Sequence, residues 1–190
     1  MTFFKSCKKI LDVGCGDGEF AKLARNRVIG IDSNTSAVTN CKENGLSIVR
    51  GDAQALPFAN ETFDGVHCSH VIEHLYPADA FRMLSEIGRV LKKNGVFVLS
   101  TPLLWEGFYE DFSHIKPYYP NAILRYLVHD GAQKTMGENS SGFKKAHQYY
   151  RYRPVYLPGK IGRLISNFLW SKNIHTLRKD AYTLVLKKIA

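Results

Sequence analysis

The stretch Ile10-Leu-Asp-Val-Gly-Cys-Gly-Asp-Gly-Glu-Phe20 decides the fold of this 190-residue chain. It opens as a short apolar strand, breaks into glycines at positions 14, 16 and 18, and ends where an apolar-periodic helix begins. A strand, a glycine turn and a helix in this order form the first half of a βαβ unit. Glycine is needed where the backbone takes a positive φ or where a ligand lies against the main chain. Because the helix behind the turn offers free N–H groups, the stretch predicts a ligand site.

Outside this stretch, short apolar runs alternate with helical patterns as far as residue 102. Strands are predicted at 9–13, 28–32, 46–51, 63–68 and 96–100. Helices are predicted at about 19–26, 33–43, 69–75 and 77–92. This alternation is typical of a parallel sheet with crossover helices, whose strands end on one edge. The polar groups that follow the strands are therefore expected to converge there.

After residue 102 the pattern changes. Residues 103–120 are rich in aromatic side chains and contain prolines, which favours an ordered loop over a strand. Further helices are expected at 121–129 and 159–170, further strands at 133–138 and 180–188, and an insertion at 139–159. The length and the lack of internal repeats predict one domain.

The net charge of +9 is concentrated at one end of the chain. Residues 1–138 carry 15 basic and 16 acidic side chains, whereas residues 139–190 carry 11 basic side chains and one acid, Asp180. Such an asymmetry indicates an anionic partner for the C-terminal quarter.

Composition excludes several classes of protein. The chain has no apolar run long enough to span a membrane, and residues 1–9 are too short and polar for a signal peptide. Its four cysteines show no paired spacing, so we expect reduced thiols in a cytoplasmic protein.

The glycine turn and four later segments resemble the motifs of the class I S-adenosylmethionine-dependent methyltransferases. Leu11–Gly18 is similar to the first motif of that family, and Asp32 stands 18 residues after Gly14, where the family has an acid. The other similar segments, in family order, are 51–58, 63–75 and 90–100. A nicotinamide site is disfavoured, because G-x-G-x-x-G would need glycine where this chain has Glu19.

The resemblance implies an α/β fold, with a doubly wound, mostly parallel seven-stranded sheet, helices on both faces and an antiparallel last strand. It implies a cofactor-binding half at 9–102, acceptor-side insertions and a lid at 103–172, and the final strand at 180–188. S-adenosylmethionine is the implied cofactor and S-adenosylhomocysteine the product. The residues implied to hold the cofactor are Asp12, Gly14, Cys15, Gly16, Asp32, Ser33, Asp52, Ala53, Ser69 and His70.

Two further motifs bear on the chemistry. His70-Val-Ile-Glu-His74 spells the H-x-x-E-H motif of some zinc peptidases, but it falls where the methyltransferases have a Glu-His pair, so no metal is expected. Asp111-Phe-Ser-His-Ile-Lys-Pro117 resembles a D-x-x-H-x-x-P segment found in a subgroup of the family. His114 is either a general base for an accepting hydroxyl or, with Asp111, a brace for the loop.

The basic segment 143–172 has three interpretations. An apolar helix face could pack on the sheet, could lie on an anionic membrane surface, or the arginines and tyrosines could stack on nucleic-acid bases, which is the least favoured.

The resemblance implies an enzyme that methylates an oxygen, nitrogen or carbon of a small-molecule or lipid- or glycan-linked acceptor. The alternatives are a non-catalytic interaction module and a methyltransferase that acts on nucleic acid. We expect a cytoplasmic protein, peripheral to the membrane if the basic helix contacts it.

Overall fold

The computed structural model describes residues 1–128, 142–154, 159–172 and 177–189. The strands in these ranges are β1 (Ile10–Val13), β2 (Val28–Asp32), β3 (Ile48–Arg50), β4 (Phe63–Ser69), β5 (Leu91–Pro102), β6 (Phe143–Pro154) and β7 (Leu177–Lys188). The α-helices in the same ranges are α1 (Glu19–Lys22), α2 (Thr35–Glu43), α3 (Pro77–Val90), α4 (Pro120–Leu127) and α5 (Gly159–Ser171).

The strands form one seven-stranded sheet in the order β3-β2-β1-β4-β5-β7-β6. Strands β1 to β5 are parallel, and β7 runs antiparallel to both β5 and β6. The predicted sheet, mostly parallel with an antiparallel last strand, is confirmed. The strand order reverses between β1 and β4, and in doubly wound folds ligands bind at the carboxyl ends beside such a reversal.

Strand β1 lies in the middle of the core, and all four of its residues are buried. Leu11 and Val13 belong to a cluster that contains apolar side chains of α3 and α4. Ile10 belongs to a second cluster, with apolar side chains of α1 and α2. Helices therefore cover both faces of the sheet, as expected from its near-continuous apolar strands.

Two predicted helices are shorter than expected. The one predicted at about 19–26 forms only Glu19–Lys22, and Leu23 is 66% exposed. After α1 the backbone forms turns with hydrogen bonds from residue i to i−3, such as Arg27 N to Ala24 O. These turns connect α1 to β2. The stretch predicted at 69–75 contains only a 3₁₀ turn, Ile72–His74.

The last third departs most from the sequence prediction. The strand expected at 133–138 lies outside the described residues, and β6 occupies part of the predicted insertion. Strand β7 begins at Leu177, three residues earlier than predicted. In the described ranges, no helix combines the length and apolarity needed to cross a membrane. The single domain and its division at residue 102 stay predictions.

Candidate active site

The glycine turn leaves β1 in a left-handed conformation, with φ of +67° at Gly14 and +48° at Gly16. A Cβ atom on Gly14 would lie 2.2 Å from Cγ2 of Val71, so a side chain there would clash with the segment after β4. A Cβ atom on Gly16 would meet nothing within 4 Å. Gly14 thus permits close packing, and Gly16 leaves backbone open on the side facing the cleft.

Asp32, the last residue of β2, fixes this turn. Its Oδ2 atom accepts a hydrogen bond from the Gly16 N–H at 2.8 Å, and its Oδ1 atom accepts one from the Asn34 N–H at 2.9 Å. Asn34 in turn caps α2, accepting from the backbone N–H groups of Ser36 and Ala37. The carboxylate is therefore oriented by backbone donors and keeps lone pairs for a ligand.

A cleft of about 540 Å³ opens at the carboxyl ends of β1 to β4. It is lined by Gly14, Gly16, Ile31, Asp32, Ser33, Gly51, Asp52, Ala53, Gln54, His70, Val71, His74 and Leu75. The carboxylate of Asp52 is held by the Gln54 N–H, which donates to Oδ1 at 2.8 Å. Seven of the ten residues predicted to hold the cofactor are thus brought together.

The other three predicted residues, Asp12, Cys15 and Ser69, are not among those lining the cleft. Asp12 is buried, and its Oδ1 atom lies 2.7 Å from Nδ1 of His67 on the neighbouring strand. Cys15 is also buried, and burial, followed by the charges of Asp12 and Asp32, raises the pKa of its thiol to about 12. Asp12 and Cys15 therefore support the turn from beneath.

Glu73 forms a buried hydrogen-bonded centre beside the cleft. Its side chain is fully buried; Oε1 lies 3.0 Å from Nδ1 of His70, and Oε2 accepts from the Thr101 hydroxyl at 2.9 Å. Its backbone carbonyl accepts from the Ile115 N–H at 2.8 Å. Glu73 thus joins the ends of β4 and β5 to the segment that carries His114.

Burial alone would raise the pKa of the Glu73 carboxyl, but hydrogen bonds from His70, the backbone and Thr101 outweigh it, and the pKa is lowered. We expect Glu73→Gln to reduce the free energy of unfolding at pH 7 by about 1–3 kcal/mol, because its amide would face one of these donors. A lowered pKa stabilises the fold above the unfolded value, about 4.3, and this contribution disappears as the pH falls through the folded pKa. Urea denaturation should therefore show the difference from wild type shrinking as the pH falls below about 4.3.

A matched control for that variant is Glu19→Gln. The Glu19 side chain is 81% exposed and pairs with Lys22 at the surface. Its replacement should therefore change the free energy of unfolding by no more than about 0.5 kcal/mol at any pH. A Glu73→Gln variant as stable as this control at pH 7 would contradict the proposed role of Glu73.

Two histidines lie side by side where the segment after β5 meets the 3₁₀ turn. The rings of His74 and His114 have centroids 4.9 Å apart. The Nδ1 atom of His114 lies 2.5 Å from the carbonyl oxygen of Phe108, so it carries the proton and leaves a lone pair on Nε2. The Nδ1 atom of His74 lies 2.9 Å from Oγ of Ser113, whose hydroxyl donates to Asp111. Because the Ser113 hydroxyl already donates to Asp111, Nδ1 of His74 carries a proton and donates it to Oγ of Ser113. Nε2 of His74 is then left with a lone pair.

Asp111 supplies a negative charge to this pair. Its Oδ2 atom lies 3.7 Å from Nε2 of His114. Hydrogen bonds from the hydroxyl and then the backbone N–H of Ser113 hold the pKa of the Asp111 carboxyl below its ordinary value. An ionised Asp111 would stabilise the imidazolium that forms when His114 takes a proton.

The structure does not place the H-x-x-E-H residues on one helical face. His70 has a left-handed φ of +57° at the end of β4, and its ring is directed to Glu73. Ligand atoms of Glu73, His74 and His114 do lie within 4.8 Å of one another. Both oxygens of Glu73 and the Nδ1 atoms of both histidines have hydrogen-bond partners, so these residues belong to a hydrogen-bonded network.

Comparisons with known proteins agree with this geometry. The family described as "Methyltransferase domain" matches residues 11–99. The crystal structure of a SAM-dependent methyltransferase from Archaeoglobus fulgidus is similar, with a TM-score of 0.70 and 26% identity, over 98% of this chain and 89% of that one. Residues 11–99 of this chain are therefore similar to a methyltransferase domain, and the fold is that of an S-adenosylmethionine-dependent methyltransferase.

Two curated relatives match this chain over about half of its length. A fatty-acid O-methyltransferase from Mycolicibacterium smegmatis is 41% identical over 101 residues, which are 48% of this chain and 36% of that protein. A phthiotriol/phenolphthiotriol dimycocerosates methyltransferase from Mycobacterium tuberculosis is 36% identical over 102 residues, 47% of this chain and 36% of that protein. The chain thus covers little more than a third of the length of these relatives.

Sequence reasoning missed several residues of the cleft. Val71, His74 and Leu75 line the cleft, although the sequence implied no cofactor-binding role for them. Sequence reasoning also did not predict that Glu73 would be hydrogen-bonded to both His70 and Thr101. Its position beside the predicted His70, in a Glu-His pair, was the available signal.

In the aromatic segment 103–120, some side chains pack against the rest of the protein and others are exposed. The guanidinium of Arg153 lies 4.0 Å from the centre of the Trp105 ring, which ties the segment to β6. Tyr109 and Phe112 are exposed. The predicted lid over the acceptor therefore stays a proposal, with Trp105 as its anchor and Phe112 near its tip.

Proposed function

We propose that this chain transfers the methyl group of S-adenosylmethionine to a hydroxyl oxygen of a lipid-linked acceptor. The observation that carries the proposal is the cleft, in which an open glycine turn faces two carboxylates from neighbouring strands. The acceptor half rests on the histidines next to that cleft and on the relatives, one of which is named for a fatty acid.

The residues of the cleft fit this cofactor. Gly16 leaves backbone uncovered, Asp32 keeps acceptor capacity for the ribose hydroxyls, and Asp52 and the Ala53 N–H would hold the adenine. When bound, the cofactor supplies a methyl group activated by the sulfonium. The protein binds and orients both reactants, and positioning of this kind lowers a barrier by about 7–11 kcal/mol in favourable cases.

The histidine pair favours a hydroxyl acceptor over a carboxylate. A hydroxyl must lose a proton when its oxygen is methylated, whereas a carboxylate at neutral pH has none to lose. His114, with a lone pair on Nε2 and Asp111 beside it, would accept that proton as a general base. A fatty acid itself would make this base superfluous.

An apolar pocket supports a lipid-linked acceptor. It has a volume of about 390 Å³, lies between α3 and α4, and is lined mainly by apolar and aromatic side chains. It reaches Ile72, next to Glu73, and Lys116, two residues after His114. A hydrocarbon chain of the acceptor would fit these walls.

Two alternatives are less well supported. A non-catalytic module would not need the open glycine turn opposite Asp32. For nucleic acid, the basic and aromatic side chains of β6 would have to be free, but Arg151 pairs with Asp180 and Arg153 stacks on Trp105. We retain a cytoplasmic location in the proposal, since the four cysteines are buried free thiols.

Titration calorimetry with S-adenosylhomocysteine tests the donor half of this proposal. We expect one site per chain with a dissociation constant between about 1 μM and 1 mM, the usual range of KM values for enzymes. No heat of binding with millimolar ligand would disprove the enzyme assignment and favour the interaction module.

A further inference from the structure

Helix α5 exposes its apolar face. Ile161, Leu164, Ile165 and Phe168 are 75%, 69%, 45% and 62% exposed, and their spacing of i, i+3, i+4 and i+7 puts them on one side of the helix. Packing on the sheet, one of the three interpretations of the basic segment, therefore does not hold for these four side chains.

The opposite side of α5 holds the helix to the protein. Gly162 is buried, and Ser166 is only 2% exposed. An ordinary surface helix buries its large apolar side chains and exposes its small and polar ones. Helix α5 instead exposes four large apolar side chains and buries Gly162 and Ser166. An exposed apolar face of this kind marks a binding surface for a partner.

The charges around this face identify the partner. Helix α5 contains Lys160 and Arg163 and no acidic residue, and Lys172 follows it directly. All three basic side chains are exposed. Large apolar residues flanked only by positive charge are typical of helices that lie in the interface of an anionic bilayer.

The topology puts α5 on the edge of the sheet where the cleft opens. It connects Pro154, which ends β6, to Leu177, which begins β7 and pairs with Pro154. Strand β7 pairs through Ala181 with Pro102, the carboxyl end of β5. The exposed Phe112 belongs to the segment that leaves this same end of β5.

We propose that α5 lies in the surface of an anionic lipid bilayer and holds the cleft edge of the sheet against it. Ile161, Leu164, Ile165 and Phe168 enter the apolar boundary while Lys160, Arg163 and Lys172 contact lipid phosphates. The membrane contact is independent of the proposed function, but its purpose, to bring the cleft to a lipid-linked acceptor, rests on that function.

Co-sedimentation with vesicles tests this contact. The full chain should pellet with phosphatidylcholine vesicles that contain about one third phosphatidylglycerol, and much less with phosphatidylcholine alone. Leu164→Ser/Phe168→Ser should reduce the bound fraction at limiting lipid at least about tenfold. Lys160→Glu/Arg163→Glu should abolish the preference for anionic vesicles.

Leu23→Ser is the matched control, since Leu23 is 66% exposed and lies after α1, away from α5. It should bind vesicles like the wild type. Three results would overturn the proposal: no pelleting of the wild type, equal pelleting of Leu164→Ser/Phe168→Ser, or a dimer in sedimentation velocity that this double variant dissociates, which would make a second copy the occupant.

Calorimetry on the same preparations separates this inference from the proposed function. A chain that binds S-adenosylhomocysteine but no vesicles disproves only the membrane contact. A chain that binds vesicles but no S-adenosylhomocysteine disproves only the methyl transfer.

Discussion

Replacing Asp32 with alanine is expected to raise the dissociation constant for S-adenosylhomocysteine at least about 100-fold. The carboxylate would lose two hydrogen bonds to ribose hydroxyls, each contributing about 1.5–3 kcal/mol when one partner is charged. The variant would also release the Gly16 N–H, which now donates to Oδ2 at 2.8 Å. Both losses act on the free energy of binding, so titration calorimetry is the appropriate measurement.

Two further variants separate the contribution of Asp32 to ligand binding from its contribution to the structure of the glycine turn. Asp32→Asn keeps the size of the side chain and an oxygen for the Gly16 N–H, but its amide nitrogen then faces the Asn34 N–H. Together with the loss of charge, this should weaken binding about tenfold or more. Asp17→Asn removes an exposed carboxylate from the same turn and should leave affinity within about twofold. If Asp32→Ala bound the ligand as tightly as Asp17→Asn, the cleft would not be the cofactor site.

The parts of the fold that the sequence predicts are those that local patterns determine. Strand β1 and its glycine turn are contiguous, and the left-handed φ values of Gly14 and Gly16 are ones that glycine adopts without strain. Asp32 could be placed in the cleft because it ends an apolar run, and parallel strands end on a common edge.

The sequence leaves a residue's role open where that role depends on distant partners. Asp12 lies in a strand buried on both faces, so no alternation tells which way its side chain points, and its partner His67 is 55 residues away. Strand β6 pairs with β7 alone in the described sheet, and its exposed Lys144 and Arg151 hide the strand pattern. The outward apolar face of α5 could not be predicted, because periodicity finds an amphipathic helix but not what lies on either side of it.

His114→Asn is expected to reduce kcat for a hydroxyl acceptor about 100-fold or more, the usual contribution of a general base. The asparagine amide can still donate to the Phe108 carbonyl, which now lies 2.5 Å from Nδ1, but it has no group in place of Nε2. Binding of S-adenosylhomocysteine should change less than about twofold, because His114 is not among the residues that line the cleft. The measurement is the rate at which labelled methyl is transferred to a long-chain alcohol.

The fatty acid of the same chain length is the control acceptor. Its carboxylate has no proton to lose, so His114→Asn should methylate it at a rate within about threefold of wild type. A loss as large as that for the alcohol would mean that His114 orders the loop with Asp111 and does not act as a base. His74→Asn decides between the two histidines, since it keeps a donor for Ser113 while removing the Nε2 lone pair. If His74→Asn alone abolished alcohol turnover, the base would be His74, which already lines the cleft, and His114 would be the residue that positions it.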